Sequence, residues 1–259
     1  GKTIARLGLG LVVLMIFSTA FTTLVGAGSV AAVYASFAKD LPDPNEIVTA
    51  QEDFETTKIY DRTGQVLLME VIDPRRGDRT LLPLEQIPED FRNATIALED
   101  KTFYSNLGVD PQGIARAFIQ NLQGGQIQGG SSITVQLIKN ILIPEEERYK
   151  RSYARKIREA ILALEISRLY SKDQILEWYL NTNYYGNWAI GVDAAAQVYF
   201  GKHAPELSLA ESAMLAPIVQ YPAMNPIDNP EQAKKRQGIA LNRLVEEGYI
   251  TRTEADAAY

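Results

Sequence analysis

A mainly α-helical domain, preceded by one small β-hairpin and by a single N-terminal transmembrane helix, is the fold class the sequence predicts. Three observations predict it. From Leu7 to Ala38 no charged side chain occurs, while Leu, Val, Ile, Phe and Ala dominate. Between Lys58 and Leu68 two short strand-like runs flank a turn around Asp61-Arg62-Thr63-Gly64. From Pro88 onward the apolar residues recur at helical spacing, interrupted by Pro, Gly and Ser at the breaks.

Taken in order, the apolar run comes first. A membrane span needs about 20 apolar residues, and this run is roughly half again longer. Lys2 and Arg6 precede it, and Asp40, Asp43 and Glu46 follow it. The positive-inside bias therefore places the start in the cytoplasm and the body outside. A cleavable leader is the alternative, because Val33-Tyr34-Ala35 has the small residues of a processing site, but the apolar run exceeds the usual core of such a leader. Gly1-Lys2-Thr3 lacks the upstream glycine and strand of a phosphate-binding loop. Leu41-Pro42-Asp43-Pro44 then breaks the helix, and the division that follows is anchor 1–40, linker 41–57, hairpin and helical domain 58–251, and a closing segment 252–259.

Within the domain, Phe91, Ala94 and Ile96-Ala97-Leu98 lead into Glu99, so this acid falls near the end of a buried helix. Asp110-Pro111 is a helix start, and Ile114–Leu122 is apolar on one face with Arg116 its sole charge. That helix reads either as core or as a lip dipping into a bilayer. Gln123–Gly130 is a loop whose last glycines allow backbone amides to approach an anion ahead of a helix over Ile133–Asn140. Six basic residues lie between Arg148 and Arg158, with Arg151, Arg155 and Arg158 on one helical face; a solvated face with Arg155 paired to Glu159 is the simpler alternative to an anion site. Helix continues from Ala160 to Leu180, broken at Ser171-Lys172-Asp173, and Glu165 and Glu177 read as structural acids. Tyr184–Gly191 suits a sugar or lipid wall and equally a helix contact. Leu209–Ala216 and Pro230–Gly248 read as scaffold.

Composition removes several classes of function. There are 26 basic and 32 acidic residues among 259, a net charge of −6, which gives no footprint for a nucleic acid. Cysteine is absent and His203 is the single histidine, so thiolate chemistry, disulfides and multi-histidine metal sites are excluded. His203 itself reads as an exposed turn residue.

Four segments then converge. They are Glu99-Asp100-x-x-Phe103-x-x-Asn106-x-Gly108, Gly129-Gly130-Ser131-Ser132-Ile133-Thr134-x-Gln136-Leu137-x-Lys139-Asn140, Arg155-Lys156-x-x-Glu159 and Ile175-Leu176-Glu177-x-Tyr179-Leu180-Asn181. In order and spacing they resemble the successive motifs of the peptidoglycan glycosyltransferase family, the glycan-polymerising module of class A penicillin-binding proteins and of monofunctional transglycosylases. The resemblance runs from about Lys58 to Thr251 and implies a lysozyme-like helical domain acting outside the cytoplasmic membrane. It implies inverting transfer of a polyprenyl-pyrophosphate-linked glycan to the sugar 4-hydroxyl of lipid II, with lipid II, the lipid-linked chain, the membrane and other cell-wall synthesis proteins as partners.

By the same resemblance Glu99 is the general base and Glu159 assists on the pyrophosphate side, by hydrogen bonds or by helping to hold a divalent cation, Mg²⁺ or Mn²⁺. Lys139, Arg155 and Lys156 meet the pyrophosphate, and Ser132, Thr134, Gln136 and Asp100 line the substrate site. Two positions depart from the family pattern: Asn106 stands where histidine is usual and Val135 where glutamine is usual. A lytic hydrolase of similar fold and a silent precursor-binding scaffold are the rival readings. The basic cluster and the anchor weigh against the first, because a neutral glycan needs neither. The intact acids and cations weigh against the second. Ser36-x-x-Lys39 lacks the accompanying motifs of a penicillin-binding transpeptidase, and the segment after Thr251 resembles the start of a linker to such a domain.

Overall fold

The structure is a computed structural model, and it describes residues 43, 46–47, 57–71, 80–110, 131–148 and 152–259. The expected membrane helix, most of the linker, the helix over 114–122, the glycine loop 123–130 and Arg151 lie outside the described residues. Among the described residues no helix is long and apolar enough to cross a membrane.

The hairpin forms where the sequence places it. Strands β1 (Thr57–Tyr60) and β2 (Leu67–Val71) pair antiparallel, with Lys58 opposite Glu70 and Ile59 opposite Met69. Asp61 ties the turn: its Oδ1 accepts from the backbone amides of Thr63, Gln65 and Val66, each at 3.2 Å. An aspartate does this readily because its short side chain substitutes for a backbone carbonyl.

Two groups of helices make the body. In the first, α1 (Glu89–Glu99) buries Phe91, Ala94, Ile96 and Ala97. In the second, α2 (Ile133–Ile141) buries Ile133, Leu137 and Ile138 and is followed by the short α3 (Glu145–Arg148). Next come α4 (Tyr153–Leu169), capped by Ser152, and α5 (Lys172–Thr182), capped by Ser171 in a reciprocal box with Gln174. The chain goes on through α6 (Val192–Phe200), α7 (Leu209–Leu215), a 3₁₀ segment Ala216–Gln220, α8 (Pro230–Glu246) and α9 (Arg252–Ala258). Helix α2 packs on α4 and α5, while α1 packs on α7, α8 and the 3₁₀ segment.

The acids read as structural behave so. Glu177 Oε2 accepts the Leu84 amide at 2.7 Å, which pins the entry to α1 against α5, and Glu165 pairs with Arg168 on the surface. His203 is largely exposed, and its Nδ1 lies 3.0 Å from the fully buried Asp193.

Tyr184–Ile190 is a tight reversal that also packs on helices: the Tyr185 ring centroid lies 6.2 Å from that of Phe91 of α1, and the Tyr185 carbonyl accepts from the Tyr199 hydroxyl of α6 at 2.7 Å. Tyr184 bridges to Ile190, and the backbone turns through positive φ at Gly186 (83°), Asn187 (46°) and Trp188 (65°). Tyr185 and Ala189 are buried, whereas Trp188 is 63% exposed. A bulky residue in the left-handed region is strained by contact of its Cβ with the following carbonyl, at a cost of about 1 kcal/mol. Trp188→Gly and Trp188→Ala remove the same indole, but only glycine relieves this strain. The glycine variant is expected to melt above the alanine variant by about 2–4 °C, measured by calorimetry; equal melting temperatures would show the turn to be relaxed.

Candidate active site

The two helix groups meet at Glu99. It is the last residue of α1, and its carboxylate is reached from both sides: Gln136 Nε2 of α2 donates to Oε2 at 2.8 Å, and Gln220 Nε2 donates to Oε1 at 2.6 Å. Burial pushes the carboxyl above its usual range, and the two amides together with the nearby Arg236 charge oppose that shift. Gln136 is itself fixed, because its Oε1 accepts from the buried Tyr179 hydroxyl at 3.1 Å.

A second centre lies on α4. Glu159 is fully buried, with Arg155 one turn back bonded to Oε1 and the Lys156 ammonium 2.8 Å from Oε2. Arg155 is buried and Lys156 is half exposed. Lys139 of α2 belongs to the same neighbourhood: burial lowers its pKa first, Lys156, Arg155 and Arg148 lower it further, and Glu159 opposes them. Lys156 also reaches Ser131 Oγ at 3.3 Å, and the Ser131 carbonyl accepts from Gln136 at 3.3 Å. The two centres are thus joined across the N-terminal turn of α2, through Ser131 and Gln136.

Three of the residues expected to line the substrate site are buried. Ser132 is the N-cap of α2, accepting from the Val135 amide at 3.2 Å and donating to the Gly108 carbonyl. Thr134 is fully buried. Asp100 is buried and accepts from Asn106 Nδ2 at 2.9 and 3.0 Å, from Thr102 Oγ1 at 3.1 Å and from the Ile133 amide at 3.2 Å.

The two departures from the expected pattern also acquire places. Asn106 uses both ends of its amide, donating to Asp100 and accepting from Lys172 Nζ and from the Gly108 amide, each at 2.9 Å. Gly108, at φ 99°, lies so close to α4 that a Cβ there would stand 2.3 Å from the Ala163 carbonyl oxygen. Val135 is buried on the core side of α2.

Around Glu159 the donor set does not suit a resident divalent cation. Among the described residues no cluster of three or more His, Cys, Asp or Glu side chains forms. Both Glu159 oxygens already face cations, and a third positive charge would find no compensating ligand.

Residues 65–245 match the family model described as Transglycosylase. The chain belongs to the transglycosylase family. It is 44% identical over 222 residues to penicillin-binding protein 1A of Aquifex aeolicus and 42% identical over 238 residues to that of Neisseria flavescens, alignments that cover 85% and 91% of this chain and 29% of each relative. The chain thus spans under a third of the length of these curated relatives. A crystal structure of penicillin-binding protein 1A from Haemophilus influenzae covers 79% of this chain and 20% of that one at 25% identity, with a TM-score of 0.43. Most of the described body falls within this transglycosylase match.

Two residues beside Glu99 had no sequence signal. Arg236 falls in Pro230–Gly248, read as scaffold, and Gln220 in the stretch before it, to which the sequence assigns no role; they lie 137 and 121 positions beyond Glu99 in the chain, and only the fold brings them to it. Tyr179 lay within a recognised motif but without an assigned role.

The Arg155–Glu159 pair makes a stability prediction. Removing one partner of a buried ion pair leaves the other charge uncompensated, at about 3–5 kcal/mol. Arg155→Ala is expected to cost that much in denaturant unfolding, whereas Lys156→Ala, whose head is half exposed, should cost under about 1 kcal/mol. Equal losses would show that Arg155 does not carry the pair.

Proposed function

We propose that this domain polymerises lipid II into glycan strands, with Glu99 as general base. The 4-hydroxyl of lipid II gives its proton to Glu99 as its oxygen bonds to the anomeric carbon of the growing chain. The bond from that carbon to the pyrophosphate oxygen breaks with inversion, and the pyrophosphate leaves with the electron pair. The observation that carries this reading is the pairing of unlike centres across α2: a carboxylate met, among the described residues, by two neutral amides, and a buried glutamate flanked by cations.

Each centre fits its part. A carboxylate has about four lone-pair sites, and the two amides occupy two, so Glu99 retains acceptor capacity for a hydroxyl. Its raised pKa strengthens it as a base for a hydroxyl proton. Lys156, Lys139 and Arg155 supply the positive charge that a departing pyrophosphate requires, and Glu159 orients two of them. Glu159 is enclosed and ion-paired, which favours this holding role over proton transfer or metal ligation, and no step is routed through a divalent cation.

The remaining expectations keep the same standing. Residues 1–40 would anchor the chain as a single span with a cytoplasmic start, 41–57 would link it to an extracytoplasmic domain of lysozyme-like type over 58–251, and 252–259 would lead toward a further domain. The partners would be the lipid-linked glycan, the membrane and other cell-wall synthesis proteins.

Purified protein with labelled lipid II is expected to yield polymer that muramidase digests, and Glu99→Gln should lower the rate by about 10²- to 10⁴-fold. Lipid II binding without polymer would establish the scaffold reading, and cleavage of finished glycan the hydrolase reading. Activity should rise with pH through a midpoint above 4.5, the ordinary value for a glutamate, because the base works only when ionised and its pKa is displaced upward. An acid limb at or below 4.5 would remove Glu99 from that role.

A further inference from the structure

Behind Gln220 stands a residue that the mechanism has not used. Arg236 of α8 donates from Nη2 to Gln220 Oε1 at 2.6 Å and to the Pro217 carbonyl at 3.2 Å, and its guanidinium lies 4.5 Å over the Tyr221 ring. Gln220 is exposed, and an exposed glutamine amide ordinarily rotates freely. Here it has one orientation. A guanidinium offers only donors, so the carbonyl end of Gln220 must face Arg236 and its NH₂ must face Glu99.

We infer that Arg236 and Gln220 are positioning residues for the glycosyl transfer: Arg236 fixes the Gln220 amide, and that amide holds one oxygen of Glu99 in place while the other lone pairs stay open to the acceptor hydroxyl. The inference rests on the reading of Glu99 as the base. Its logic is one of spacing. A guanidinium bound directly to Glu99 would take both oxygens in a bidentate fork and leave a poor base. With one amide between them, the positive charge still favours ionised Glu99, and no N–H of the arginine occupies the carboxylate.

The surroundings make the effect of Arg236 readable. The titratable groups that act on Glu99, or on which it acts, are Asp100 at the end of its own helix, Arg236 on α8, Tyr179 on α5 and Tyr185 in the following turn. Burial holds both tyrosines neutral, with pKa values pushed up, and Asp100 disfavours the Glu99 anion. Arg236 is the one group of this set whose charge favours it.

The test is the pH dependence of kcat and KM for lipid II polymerisation in Gln220→Ala, Gln220→Glu, Arg236→Met and the Arg236→Met/Gln220→Ala double variant. Loss of the arm should move the acid limb to higher pH. It should lower kcat at neutral pH by about tenfold to a hundredfold, as for one lost hydrogen bond to a charged group, with KM little changed. Gln220→Glu keeps the Arg236 contact but sets a second carboxylate against Glu99, so its limb should move furthest. In kcat the double variant should lose no more than Gln220→Ala, because Arg236 positions Glu99 only through Gln220; its acid limb should move further than that of Gln220→Ala, because the Arg236 charge also acts on Glu99.

An unmoved acid limb, or losses in kcat that add in the double variant, would overturn the inference. If Arg236→Met unfolds, the two variants at exposed Gln220 decide by themselves. Wild-type polymerase activity that survives Glu99→Gln would instead overturn the reading of the base. An inactive Glu99→Gln beside unshifted Gln220 variants would overturn the positioning arm alone.

Discussion

A carboxylate taken out of water must be met by donors, and in this domain the Asp100 carboxylate meets that requirement in a way on which the site depends. Four donor contacts converge on it, two from Asn106, one from Thr102 and one from the first amide of α2. These bonds close the loop 100–108 onto itself and dock the N-terminus of α2 against the end of α1. Gln136 lies one turn further along α2, so the same docking sets its amide on Glu99. A helix N-terminus also favours a negative charge beside it, which adds to the tie. Asn106 therefore matters as a clamp, with Asp100 and Thr102 on its NH₂ side and Lys172 and Gly108 on its carbonyl side. A side chain that titrates is not needed for that work.

Glu99 and Glu159 are the same residue type in opposite environments. Glu99 receives two neutral amides and feels one cation at a distance, so burial prevails and its proton affinity rises. Glu159 receives an arginine and a lysine directly. In one place the fold raises the affinity of a carboxylate for a proton; in the other it uses a carboxylate to hold two positive groups. Division of labour between two acids by environment is the general logic of paired-carboxylate sites, and on the proposed mechanism it would also separate proton transfer from leaving-group charge.

What the sequence made legible was local. Glu99 at a helix end, the Arg155–Glu159 pair one turn apart, the hairpin turn at Asp61 and the break at Ser171 all follow from period, capping and i,i+4 geometry, and each is found where expected. What it hid was the direction in which a turn faces and the partners that arrive from far along the chain. Ser132 and Thr134 share a segment with Gln136, yet one caps the helix and the other is buried, because a helical turn points successive side chains about 100° apart. Arg236 belongs to an amphipathic helix whose pattern records that it packs on the body. Nothing in that pattern records that its guanidinium emerges beside residue 220.

The cationic centre carries a further consequence of its own crowding. Lys139 sits among Lys156, Arg155 and Arg148, and these together with burial lower its pKa, while the Glu159 charge opposes them. Positive groups gathered this closely repel one another, and solvent screens the repulsion only in part. Bringing a doubly charged pyrophosphate to that place relieves it, and the relief is greatest when negative charge has accumulated on the leaving oxygen rather than in the ground state. Such a centre therefore favours the departing group over the intact donor, which is the direction in which binding energy accelerates a reaction.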